Sequence, residues 1–416
     1  MRIPGTERLQ RNRTQARKSA PLRERGLRVS VLPFLAGEDD ELALAVSQGI
    51  AAELEQFRWF DVVSPSSLSD RAATVGTIRR SRRPKSVDYL LEGAIYRDGK
   101  HAHLILRLLD LDECARSVWS ERLVLPVSKV PGWSKLAARR VVAGMDPLTS
   151  FFDGRPKQRQ RHGATGLLLA AVPLMFGLER RKYEEAGRLI DRALEMEPDN
   201  AMAAAWAAFW QVVYFGQGWT QNLVKASAIA QTRAHRAVTL DPNDPEILTI
   251  CGHVSAFLCK DYDLALHYFD RAQRINSKLE AAWCWSAATY SYIGKSGIAL
   301  ERLRQFQDLM PTHPHYVWTQ NIFSLSYAFA GEYEKAVASG RRVTKINPSF
   351  INGYKPLIAS LGHLGRVEEA KPYVDKLLAL EPNFTVERFA KVYPIKYESD
   401  REHYMNGLRF AGVPER

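Results

Sequence analysis

One phrase of helical sequence, written six times between residues 164 and 384, constrains this 416-residue chain more than any other feature. The copies read KYEEAGRLIDRALEMEPDN, KASAIAQTRAHRAVTLDPND, DYDLALHYFDRAQRINSKLE, KSGIALERLRQFQDLMPTHP, EYEKAVASGRRVTKINPSF and RVEEAKPYVDKLLALEPNF, closing at Pro198, Pro242, Ser277, Pro311, Pro348 and Pro382. Successive closures lie 44, 35, 34, 37 and 34 residues apart. A spacing this regular means one supersecondary unit used repeatedly. Each unit cannot bury its own apolar face and takes its core from its neighbours.

Inside each copy the residue types say what the unit is. Ala186, Ala265, Ala299, Ala336 and Ala370 stand where a second helix must lie close against a first, and alanine gives that clearance without loss of helix propensity. Ile190, Ala193, Phe269, Ala272, Leu303, Phe306, Val374 and Leu377 continue the same face at spacings of three and four, so they are expected in the seam between helices as core. The closing proline lacks an N–H and excludes its predecessor from helical geometry, which ends the second helix. Neighbouring Asp and Asn residues suit the turn and the N-cap of the next helix. With a terminal proline and a period near 34, the pattern resembles the tetratricopeptide repeat. That resemblance implies six antiparallel helical hairpins over residues 164–384, stacked into a superhelix with an open concave face. Three departures stand out. About ten extra residues separate Pro198 from Pro242, and the stretch YFGQGWTQN from Tyr214 to Asn222 is expected to hold them as a longer loop. The third copy closes on Ser277, and Gly340 stands where a larger apolar residue is usual.

Upstream, from Leu27 to Met145, the texture changes. LRVSVLPF and FDVVS read as strands. EDDELALAVSQGIAAELEQF reads as an amphipathic helix with acidic residues at its positive end, and SPSSLSDRAA as the start of another. VDYLLEGAIYRDGKHAHLILRLLDLDECARSVWSERLVL reads as three strands joined at Asp98–Gly99 and near Asp112, and KVPGWSKLAARRVVAGM closes the segment as a helix. The expectation is an α+β domain over residues 27–150, a mixed sheet with flanking helices. It follows a basic tail at 1–26 and precedes a basic linker at 151–163, the repeats, and capping helices over 385–416. VSVLPF, SQGIAAELEQF, DYLLEGAIYRDG and WSERL resemble the TolB-like domain that precedes tetratricopeptide arrays in bacterial signalling proteins. The C-terminal TVERFAKVYPIKYESDREHYMNGLRFAGVPE is similar to the close of the same multidomain family. The resemblance implies a regulatory portion. In that family it commonly sits behind a class III adenylate or guanylate cyclase domain or a winged-helix DNA-binding domain, and with only 26 residues before the first strand neither is expected here.

The hydrophobic content of 46% fits a folded chain of two or three domains. Cys114, Cys251, Cys259 and Cys284 form no CxxC pair, which fits a reduced, cytoplasmic setting and packing roles. The longest apolar run, Gly166–Leu178, holds thirteen residues and contains Pro173. A membrane span needs about twenty, so the run is expected to be the first helix of the first repeat. Of the net charge of +12, a surplus of seven sits in residues 1–28. That tail, together with the run Arg79, Arg80, Arg82, Arg83 and Lys85, would contact nucleic acid or an acidic partner through salt-sensitive, sequence-indifferent attraction; a solvated charge run is the plainer reading.

No phosphate-binding loop, zinc motif, nucleophile elbow or dinucleotide fingerprint occurs. His101 and His103 alternate on one strand, and His313 and His315 flank Pro314, but two histidines without a third ligand favour surface or pairing roles. Glu92 and Glu121 fall within strands and suit ion pairs better than acid–base work. Catalysis, a metal and a cofactor are therefore not expected. Inward positions of the first helices, taken in register from Ala299, Ala336 and Ala370, include Ser291, Trp318, Asn321, Leu325 and Lys355, with Tyr292 and His363 adjacent. These are the expected lining of a groove for an extended peptide or an acidic terminus. The leading expectation is a protein-interaction scaffold. The alternatives are a DNA-associated regulator and the regulatory part of a cyclase-like protein, with partner and oligomeric state left open.

Overall fold

The computed structural model describes residues 27–36, 40–55, 60–65, 87–111, 116–126, 163–220, 222–277, 279–309 and 316–416. The basic tail, the run from Arg79 to Lys85, the helix expected before Met145, Cys114, His313 and His315 lie outside the described residues. The chain divides into two compact units, Met1–Gly144 and Met145–Arg416.

In the first unit the apolar runs become β1 (Leu27–Val31), β2 (Leu35–Ala36), β3 (Phe60–Val62), β4 (Tyr89–Asp98), β5 (His101–Asp110) and β6 (Arg116–Pro126), with α1 (Asp40–Leu54) between β2 and β3. The sheet order is β3-β1-β4-β5-β6. Strands β3, β1 and β4 run parallel, and β4, β5 and β6 antiparallel, so the sheet is mixed. Helix α1 opens on Asp40 and Glu41 and buries Ala43, Val46, Ile50 and Leu54, the three-and-four spacing of a helix laid on a sheet. The β4–β5 hairpin turns on Gly99 and Lys100, with Gly99 at φ 56°, a conformation that glycine enters without steric cost. Asp88 fixes the start of β4 by accepting the Arg28 backbone N–H at 3.0 Å.

The second unit is entirely helical among its described residues. Six hairpins pair α2 (Gly163–Phe176) with α3 (Arg180–Met196), α4 (Ala201–Gly216) with α5 (Leu223–Leu240), and α6 (Pro245–Phe257) with α7 (Tyr262–Ile275). They continue with α8 (Glu280–Tyr292) and α9 (Ser296–Leu309), α10 (Tyr316–Phe329) and α11 (Tyr333–Ile346), and α12 (Ile351–His363) and α13 (Val367–Leu380). Two further helices, α14 (Val386–Val392) and α15 (Glu398–Phe410), complete the unit. The five alanines of the repeat are all fully buried, as are Ala193, Phe269, Ala272, Leu303 and Leu377. Asn200 and Asp244, just after the closing prolines, cap α4 and α6 by accepting backbone N–H groups at 2.8–3.0 Å. The apolar run from Gly166 lies in α2, and among the described residues no helix is long and apolar enough to cross a membrane.

The departures from the repeat have structural answers. Most of the extra residues before Pro242 lengthen helices: α4 has 16 residues and α5 has 18, against 13 or 14 for the helices of the later hairpins. Of the loop expected over Tyr214–Asn222, residues 214–216 end α4 and 217–222 lie between the two helices, so the loop is shorter than expected and the remaining extra length is helical. Helix α7 stops without proline at Asn276, whose N–H bonds the Ala272 carbonyl. At Gly340 a Cβ would stand 2.7 Å from the Leu357 Cβ, so the missing side chain lets α11 and α12 touch.

Candidate functional site

The first helices of successive hairpins form the inner layer, in which α4, α6, α8, α10 and α12 each pack on the next. This layer curls far enough to meet itself. At the end of α2, the Phe176 carbonyl accepts the Trp318 indole N–H at 3.2 Å, and the Gly177 carbonyl accepts the Asn347 amide at 3.4 Å. Beyond α4, the buried Gln217 donates to the Ser349 carbonyl at 3.2 Å and accepts the Ile351 backbone N–H at 3.1 Å. Phe350 is the N-cap residue of α12 and has no side-chain acceptor of its own. Gln217, more than 130 residues away in sequence, satisfies the amide instead.

The segment around α14 crosses the same side. Tyr262 donates its hydroxyl to the Pro394 carbonyl at 3.0 Å, Lys260 reaches the Lys391 carbonyl at 3.1 Å, and the Lys396 N–H bonds the Tyr292 carbonyl at 2.9 Å. The expected open groove is thus replaced by a closed ring of hairpins with a cavity of about 80 Å³ at its centre.

Four of the seven expected groove residues line that cavity: Tyr292, Trp318, Asn321 and Leu325. Trp318 packs at 5.2 Å from Phe176 and 5.1 Å from Phe350. The other three are placed differently. Ser291 is fully buried in a helix–helix contact, bonded to the Ala287 carbonyl and to the Ser326 hydroxyl, because a serine at a close crossing is small enough to be enclosed. Lys355 is buried beside Glu381, with 3.7 Å between charged atoms, and donates to Asn352 at 3.0 Å; burial lowers its pKa while Glu381 opposes that. It serves an internal ion pair. His363 stacks on His403 at 4.3 Å and on Tyr333 at 4.7 Å, and donates from Nε2 to the His403 carbonyl at 3.0 Å, so it holds α15 against α12. Burial and the neighbouring His403 both lower its pKa.

The sequence reading missed the opposite wall, made by Phe209, His253 and Trp285. Phe209 and Trp285 stack at 5.1 Å with 6° between planes, and His253 lies 5.3 Å from Trp285. Burial lowers the His253 pKa to about 4, so the ring is neutral near pH 7. Two buried polar atoms at the cavity, Asn321 Oδ1 and His253 Nδ1, have no hydrogen-bond partner among the described residues. Such atoms are uncommon in folded proteins.

In the first unit, His103 sits on Tyr96 at 4.6 Å and accepts from Arg122 at 3.1 Å through Nδ1, while His101 is exposed. Glu92 faces Arg107 across the β4–β5 pair at 3.8 Å. No group of three or more His, Cys, Asp or Glu placed to hold a metal occurs among the described residues.

Fold and site together define a protein of stacked helical hairpins, of tetratricopeptide type, closed around a small aromatic-walled cavity and accompanied by a mixed α+β unit. No protein-family model matches the chain. It is 23% identical over 231 residues to "Putative adenylate cyclase 3" of Rhizobium meliloti (strain 1021), a match covering 52% of this chain and 38% of that protein. Among solved structures it is similar to a human IFIT1 dimer with m7Gppp-AAAA (15% identity, 70% of each chain, TM-score 0.46) and to the type IV pilus biogenesis factor PilW (18% identity, 55% of this chain and 97% of that one, TM-score 0.38). TolB from Acinetobacter baumannii is a more distant likeness (11% identity, 30% of this chain and 29% of that one, TM-score 0.24).

Proposed function

We propose that this chain is a non-catalytic regulatory component whose helical unit binds a protein or peptide partner, the partner inserting one side chain into the cavity at the centre of the ring. The observation that carries this reading is the cavity itself. It is walled by Phe176, Phe209, Trp285, Trp318 and Phe350, and it keeps two polar atoms without partners. A desolvated aromatic pocket with a few convergent polar groups is the arrangement in which a single anchor side chain contributes most to an interface. The TolB-like motifs upstream of the repeats, and the similarity to part of a cyclase, support a place in signalling for this module.

The test begins with peptides selected from a displayed random library against the wild-type protein. Their affinities are then measured for the Trp285→Leu and Asn321→Leu variants. Loss of an anchor pocket is expected to weaken the selected peptides by roughly thirtyfold or more. Affinities unchanged in both folded variants would place the partner elsewhere on the molecule.

A further inference from the structure

We infer that a second cavity, between α12, α15 and the ends of α8 and α10, binds the ammonium head of a primary amine, carried by a small free compound or by a lysine side chain. The cavity measures about 90 Å³ and shares no lining residue with the one at the ring centre. The inference therefore stands apart from the reading above, and three observations carry it.

The first is a pair of enclosed hydroxyls. Ser360, in the last turn of α12, is fully buried, and Tyr404, on the facing helix α15, is 3% exposed. Both line the cavity, and neither oxygen has a hydrogen-bond partner among the described residues. An enclosed hydroxyl left unbonded is costly, so two in one wall favour a polar guest.

The second is a carboxylate in the same wall. Asp400, in the first turn of α15, makes no ion pair or hydrogen bond among the described residues. Gly294 gives it room, since a Cβ there would stand 2.6 Å from Asp400 Oδ2. Among the described residues no Lys or Arg lines the cavity, and Lys295, between the lining residues Gly294 and Ser296, is exposed. Of the two lining histidines, His363 is kept towards its neutral form by burial and by His403, and Nε2 of His403 is engaged by the Tyr333 hydroxyl at 2.7 Å. A hydroxyl serves a cation or an anion equally, so the carboxylate sets the sign of the guest.

The third is the match of donors, acceptors and size. A primary ammonium carries three N–H donors, and the Asp400 carboxylate, Ser360 Oγ and the Tyr404 hydroxyl oxygen are acceptors for them. A cavity of ~150 Å³ takes up the ring of benzene, so one of about 90 Å³ suits roughly three or four heavy atoms, the nitrogen and the first carbons of its chain. Gly294 and His403, both exposed, leave the remainder of the amine a way out to solvent.

The test uses the full chain and isothermal titration calorimetry in amine-free phosphate buffer. One arm titrates ethylammonium chloride, a second Nα-acetyl-lysine methylamide, and a third ethanol, which has the size of ethylammonium without its charge. The expected result is binding of at least one of the two amines, with ethanol about tenfold weaker or more. Tighter binding of ethylammonium assigns the head group to a free compound; a lysine derivative that binds as well or better assigns it to a protein partner. Asp400→Asn, which removes the charge and keeps the shape, is expected to weaken the amine about tenfold or more, and Tyr404→Phe about fivefold. Both variants are checked for an unchanged helical circular-dichroism signal.

Ethanol binding as tightly as the amines would overturn the inference, showing a polar pocket indifferent to charge. Heat from neither amine would overturn it too, leaving the two hydroxyls to water. Amine affinity unchanged in folded Asp400→Asn would place the amine elsewhere and overturn the assignment of the site. The amine and ethanol arms both use the wild-type protein, so their comparison survives a variant that fails to fold. The peptide-library experiment concerns the other cavity, and its outcome is independent of this one.

Discussion

His253 shows how one enclosed side chain ties the cavity to the stability of the whole helical unit. Burial holds its pKa near 4 in the folded protein, against an ordinary value of 6.5. Between those values the unfolded chain binds more protons than the folded one, so stability rises with pH through that window. The contribution is complete above about pH 6.5 and is lost as the pH falls towards 4; a shift of this size corresponds to at most about 3 kcal/mol. Replacing His253 with Gln is expected to flatten the acid fall in melting temperature over that range, read by thermal melts of both proteins at matched pH. Lys355 and Glu381 make a second prediction. Lys355→Met alone leaves the Glu381 carboxylate buried without its cation and is expected to cost about 3–5 kcal/mol, while adding Glu381→Leu recovers most of it. Urea denaturation of the two variants checks the difference.

The residue scale is also where sequence reading reached least far. Trp318, Asn321 and Leu325 could be placed by counting from the alanines of the repeat. Phe209 and Trp285 could not, because α4 and α8 are apolar or small on nearly every side, and a helix without a polar face carries no mark of which side turns inward.

Among the elements, the hairpins were almost fully legible. Period, buried alanines and capping residues all act within about forty residues of sequence, and local signals of that kind survive into the fold. The lengthening of α4 and α5 was not legible, since Tyr214, Phe215 and Gly216 read as loop while they form the last residues of α4. Tyr183 and Trp210 exchange hydrogen bonds with each other's backbone carbonyls at 3.0–3.1 Å, and Tyr214 stacks on Trp210 at 4.4 Å. The closure of α15 against α12 depends on two glycines. A Cβ at Gly362 would run into the Gly407 carbonyl oxygen, which is backbone and cannot move aside as a flexible side chain can. Gly362→Ala is therefore expected to destabilise this crossing by about 1–3 kcal/mol or more through overpacking. Hydrogen exchange of the α15 amides, faster in the variant than in wild type while α6 and α7 are unchanged, is the matching observation.

For the whole molecule, the central claim is that the array closes on itself. Tandem hairpins ordinarily leave a concave surface open, and nothing in a 34-residue period states how far each unit is rotated on the last. Here the curvature is completed by contacts between α2 and α10–α11, α4 and α12, and α6–α7 and the α14 segment, pairs more than 130 residues apart. Such contacts leave no periodic trace. They turn an expected peptide groove into a small cavity, and that single change redirects the functional reading from an extended partner to one inserted group.

The most direct measurement is hydrogen exchange at the backbone amide of Ile351. As a first-turn amide of α12 it has no acceptor within its own helix, and its bond runs across the ring to Gln217. The closed ring predicts strong protection of this amide in wild type and its selective loss in Gln217→Ala, with the amides in the middle of α12 unchanged. Exchange of Ile351 in wild type as fast as an exposed first-turn amide would contradict closure, and with it the cavity.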